Sequence, residues 1–113
     1  MRPDLPDLNI ITTKTAEELL KNPHFLSLDK FELIGIPEIF DIQSFYGHII
    51  DNKKTWIDLH FFRQISDEYK IQLQTIVDEI LVTQNRVYKV PIIGFPGITI
   101  SSYRKMFTLY RRN

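Results

Sequence analysis

The chain has 113 residues, 14 basic, 14 acidic, three histidines and no cysteine. That length suits one core, so one domain over residues 1–113 is expected. The composition excludes disulfides, thiolate metal sites and thiol nucleophiles, and zero net charge argues against a chain that binds nucleic acid along its whole length.

No apolar run approaches the roughly 18 residues that span a bilayer. The opening "MRPDLPDLN" carries acids and prolines where a secretory signal has an apolar core, which points to the cytosol. Isoleucine occurs 17 times and alanine once. Isoleucine favours pleated, half-buried surfaces and alanine favours helices, so strands are expected to dominate.

In chain order, "LNIITT" predicts a short strand. "TAEELLKNP" predicts a short helix, capped by Thr13 or Thr15, charged at its start by Glu17 and Glu18 and stopped by Pro23. "FLSLDKFELIGI", from Phe25 to Ile36, alternates as one strand. The run "EIFDIQSFYGHIIDNKKTWIDLHFFRQI" reads as two strands flanking the turn "DNKK", a hairpin. Centred on Asn52 and Lys53, that hairpin puts Tyr46, His48, Ile50, Ile57, Leu59 and Phe61 on one face. Phe45, Gly47, Ile49, Trp56, Asp58, His60 and Phe62 fall on the other.

Ser66 opens the clearest helix, about residues 66–84, with Asp67 and Glu68 in its first turn and Asn85 placed to close it. Tyr69, Leu73, Ile76, Val77, Ile80 and Leu81 form its inward stripe. "RVYKVPII" predicts a further strand. In "GFPG", Pro96 and Gly97 suit the central positions of a type II turn between strands. Ile98 to Tyr103 reads as strand, whereas residues 103–112 fit helix or strand. The expected fold is α+β: an antiparallel sheet of four to six strands with one main helix packed on it and a short N-terminal helix.

Candidate chemistry is sparse. His48 and His60 lie on opposite faces of the expected hairpin, and His24 has no ligand spacing around it, so no metal site and no cofactor are expected. Asp58 and His60, two apart on one strand, share a face and resemble the orienting half of a catalytic dyad, with Ser44, Ser101 or Ser102 as nucleophile. No Gly-x-Ser-x-Gly turn supports that, so a non-enzymatic protein is expected. The acid pairs Glu17-Glu18, Asp67-Glu68 and Asp78-Glu79 are explained by helix electrostatics and solvation. "GFPG" lacks the spacing of a phosphate loop.

Charge is unevenly placed. Residues 1–80 hold eight bases and 14 acids, a net of −6, and residues 81–113 hold six bases and no acid. An acidic body of this kind suits a basic protein partner, since complementary fields speed and select association. The expectation is a bacterial immunity-type inhibitor that blocks a toxin or nuclease domain through Asp41, Asp51, Asp58, Asp67 and Glu68. The first alternative is a nucleic-acid or phosphate-binding module using Arg86, Lys89, Arg104, Lys105 and Arg111 among aromatic residues. The second is a small enzyme built on Asp58 and His60.

Overall fold

Residues 6–84 and 86–113 are described in the computed structural model of the chain. The elements run α1 (Thr15–Leu20), α2 (Pro23–Leu26), β1 (Lys30–Ile36), α3 (Ile42–Ile49), β2 (Trp56–Phe61), α4 (Asp67–Val82), β3 (Ile92–Gly94) and α5 (Ile100–Arg111). The sheet has three strands in the order β1-β2-β3, and both pairings are parallel. Helices and strands do share one core, but among the described residues the expected antiparallel sheet of four to six strands is replaced by three parallel strands and five helices.

The expected hairpin fails at its first arm, which is helix α3. Asp41 caps it, accepting hydrogen bonds from the Ser44 amide at 3.1 Å and the Ser44 hydroxyl at 2.7 Å. Ile42, Phe45 and Ile49 then fall on one buried helical stripe. Phe45 is completely buried, with ring centroids 6.0 Å from Phe25 and 5.5 Å from Phe40. The β-forming residues of this run are therefore held helical by a cap and by tertiary packing, which outweigh local preference. Helix α3 supplies the long crossover that a parallel pair needs, and β1 and β2 pair in parallel.

Four shorter expectations are corrected too. "LNIITT" forms turns rather than a strand. Phe25 and Leu26 belong to α2, so only Lys30–Ile36 of the predicted long strand is extended. Residues 98–103 enter helix α5, where the Thr99 hydroxyl accepts from the Ser102 amide at 3.1 Å and Met106 is buried. The strand expected over "RVYKVPII" shrinks to Ile92–Gly94.

The first helix forms at Thr15–Leu20, but Lys14 is its N-cap with no side-chain hydrogen bond, so neither Thr13 nor Thr15 caps it as expected. The main helix and the tight turn form close to expectation. Ser66 caps α4, with Tyr69, Leu73, Ile76, Val77 and Ile80 buried along it. The predicted closure at Asn85 lies outside the described residues. Arg86 instead reaches back to the Ile80 and Thr83 carbonyls, at 3.2 and 2.7 Å, supplying positive charge at the helix end. Pro96 and Gly97 make a tight turn, with Gly97 at φ 97° and the Ile98 amide bonded to the Phe95 carbonyl. It joins a strand to a helix, not two strands.

Both crossover helices cover one sheet face. Phe31 of β1 packs near Phe45 of α3, and Phe61 of β2 near Tyr69 of α4. Tyr46 donates to Glu79 at 2.8 Å, tying the two helices side by side. Phe31, Leu33, Ile57 and Leu59 all point into this layer and are buried. Gly35, at φ 73°, bulges β1 between Ile34 and Ile36, so Ile36 turns back to the core face.

Helix α5 lies along β3. Met106 packs beneath it, and its sulfur accepts the Ile93 amide at 3.0 Å on the edge that β2 does not pair. That contact occupies an edge group that would otherwise be open to another strand. Tyr110 meets Trp56 edge-on at 5.2 Å. The second sheet face is thus roofed over β3 and part of β2, and open over β1.

Candidate functional site

The open face and the carboxyl ends of the strands meet in one cleft of about 870 Å³. Each strand supplies part of its wall: Ile34 and Gly35 from the end of β1, His60 to Gln64 from β2 and beyond, and Gly94 to Pro96 from β3. Ile98, Ile100, Tyr103 and Arg104 close the α5 side. The carboxyl ends of parallel strands are a common place for ligands, although the order β1-β2-β3 has no reversal that would itself open a crevice. The volume lies in the range of small-molecule sites, and most of the lining is apolar. Among the described lining residues the charged members are Arg63 and Arg104, and none is a carboxylate. Ile34 and Ile100 are 69% and 71% exposed, so the cleft has an apolar rim.

His60 stands at the junction of this cleft and the open face. Along β2 the side chains alternate, with Ile57, Leu59 and Phe61 inward and Trp56, Asp58 and His60 outward. His60 Nε2 lies 2.6 Å from Asp58 Oδ1. Asp58 Oδ1 is closed to solvent, and the contact lacks the alignment a hydrogen bond needs. Glu32 is paired with Asp58 across the β1–β2 ladder, and the donor atoms of Glu32, Asp58 and His60 all lie within 4.8 Å of one another. The Tyr110 phenol is held above its ordinary pKa, first by burial and then by the charges of Asp58 and Glu32.

Asp58 and His60 are therefore neighbours as predicted, but none of the three expected serines is bonded to them. Ser44 is bonded to Asp41 on α3, across the sheet from His60. Ser101 and Ser102 are in the first turn of α5, and neither makes a hydrogen bond to His60. His48 sits between the rings of Phe25 and Phe45, where burial pushes its pKa down, and His24 is exposed on α2.

The five predicted acids do not form one surface. Asp41 and Glu68 line a groove of about 410 Å³ at the carboxyl edge, together with Glu38, which accepts the Ser66 amide at 2.7 Å. Asp67 is in the same first turn of α4, 3.6 Å from Lys70. Asp51 follows the far end of α3, and Asp58 is on the opposite sheet face. The predicted basic set also divides. Arg104 is in the main cleft, and Lys105 and Arg111 are exposed along α5. Arg86 caps α4, while the Lys89 ammonium rests 4.5 Å from the Trp56 ring.

The sequence reading missed Glu32, Arg63 and the cleft as a whole. Only the parallel register sets Glu32 opposite Asp58, and no spacing in the chain signals it. Among the described residues no helix is long and apolar enough to cross a membrane. No known family, curated protein or solved structure matches the chain.

Proposed function

We propose that the chain is a non-enzymatic binding domain that takes a small ligand, with an apolar body and one anionic group, in the carboxyl-edge cleft. The lining supports this: apolar walls from all three strand ends and two arginines without a carboxylate. Guanidinium groups hold carboxylate or phosphate by paired hydrogen bonds, and apolar walls reward a hydrocarbon body. The reading takes up the expected phosphate-binding alternative but moves it from a basic strand to a cleft, with Arg104 common to both.

Calorimetric titration with octyl phosphate, octanol and octylamine tests the reading. Octyl phosphate binds best, and Arg63→Ala or Arg104→Ala weakens it roughly tenfold, the scale of one charge-assisted hydrogen bond. Equal binding of octanol and octyl phosphate, indifferent to both substitutions, sinks it.

A basic protein partner, such as a toxin or nuclease domain, is the second reading. It is favoured by the convergence of Glu38, Asp41 and Glu68 on one groove, with Asp67 beside it. Asp41→Asn and Glu68→Gln would then slow association with such a partner at low salt and matter little at high salt. A co-purified partner whose association is unchanged by both variants counts against the acidic edge. The cysteine-free composition supports a reducing, cytosolic setting for either reading.

A further inference from the structure

We propose that Glu32, Asp58 and His60 form a site for one first-row divalent cation, Zn²⁺ or Mn²⁺, on the open face of the sheet. Three observations carry it. Two carboxylates and an imidazole bring their donor atoms within 4.8 Å of one another. Asp58 Oδ1 is shut from solvent and stands 2.6 Å from His60 Nε2 without hydrogen-bond alignment, so the Asp–His pair alone leaves it unsatisfied. Among the described residues no lysine or arginine makes an ion pair with Glu32 or Asp58.

The backbone supports the geometry. Glu32 and Asp58 are directly paired on adjacent parallel strands, and His60 is the next residue on the same face of β2. Two strands fix three ligands with little freedom left to lose on binding. Metal bonds of about 2.0–2.2 Å set neighbouring donors roughly 3–3.4 Å apart. Closing on an ion therefore needs Glu32, which is exposed, to swing inward and Asp58 and His60 to part slightly. One nitrogen and two oxygen donors suit Zn²⁺ or Mn²⁺ better than soft, sulfur-seeking ions. Three protein ligands leave coordination positions free for water or a bound anion. The inference does not depend on the proposed cleft ligand, because the metal is measured alone.

The test is calorimetric titration of chelator-treated protein with ZnCl₂ and with MnCl₂. One ion binds per chain, and Glu32→Gln and Asp58→Asn each weaken it at least about tenfold, the loss typical even of residues that only support a ligand. His24→Gln leaves affinity unchanged. Glu32→Gln alters an exposed side chain and should preserve the fold, which circular dichroism verifies. In nuclear magnetic resonance spectra the His60 imidazole signals move on Zn²⁺ addition. Absence of binding at millimolar metal overturns the proposal. So does one site of equal affinity in the parent and in Glu32→Gln, or His60 signals that stay in place at saturation.

Discussion

His60 on β2 and Gly94 on β3 stand so close that a Cβ built at Gly94 would lie 3.0 Å from His60 Nδ1. Asp58 holds the other end of the ring, 2.6 Å from Nε2. The imidazole thus lies between a carboxylate and a residue that has no side chain, and it lines the cleft.

Gly94→Ala is expected to cost about 1 kcal/mol, the low end of overpacking penalties. Urea denaturation measures it. A variant as stable as the parent would show that the ring moves freely and that Asp58 does not fix it.

His48 predicts the response to acid. Burial against Phe25 and Phe45 lowers its pKa below the ordinary 6.5, partly offset by Asp51. The unfolded chain then binds the proton more readily, so stability falls as pH drops below about 6.5 and levels off once the folded-state pKa is passed. His48→Gln should flatten that part of the profile of melting temperature against pH. An unchanged profile would assign the acid sensitivity elsewhere.

Asn113 brackets Val90 as a strand would: its Oδ1 accepts the Val90 amide at 2.8 Å and its Nδ2 donates to the Val90 carbonyl at 2.9 Å. Asn113→Ala is expected to lose about 1–2 kcal/mol, two ordinary net hydrogen bonds. Hydrogen exchange of the Val90 amide should quicken more than that of the Leu73 amide in α4. Equal changes at both sites would mean that the side chain acts on global stability only.

Asn52 is buried in the α3–β2 connection. It accepts the Lys54 and Thr55 amides at 3.2 and 2.9 Å and donates to the Thr55 carbonyl at 2.7 Å. Asn52→Ala leaves these groups without partners, and about 2–3 kcal/mol is the expected loss. A cost below about 0.5 kcal/mol in thermal unfolding would show that water replaces the side chain.

Some of this was legible along the chain. Ser66 with Asp67 and Glu68, followed by apolar residues every three or four positions, specifies α4, because cap, helix dipole and stripe all lie within 16 residues. Pro96 and Gly97 specify their turn through their own torsional limits. The shared face of Asp58 and His60 follows from the alternation of one strand.

What the sequence by itself determined was this local order: where chain torsions, caps and short periodicities agree, a helix, a turn or a strand face is set by neighbours. The tertiary structure alone decided the rest. Ile42 to Ile49 and Ile100 to Arg111 carry strand-forming residues yet are helical, because Phe45 and Met106 gain more from burial than the backbone loses. The crossovers through α3 and α4 go with parallel strands, and parallel register brings Glu32 to Asp58. It also gathers Ile34, His60 and Gly94 at one edge, with Arg104 of α5 beside them, although they lie far apart along the chain. A cleft made of three strand ends is a property of their pairing, and pairing is a long-range choice that no single stretch of residues encodes.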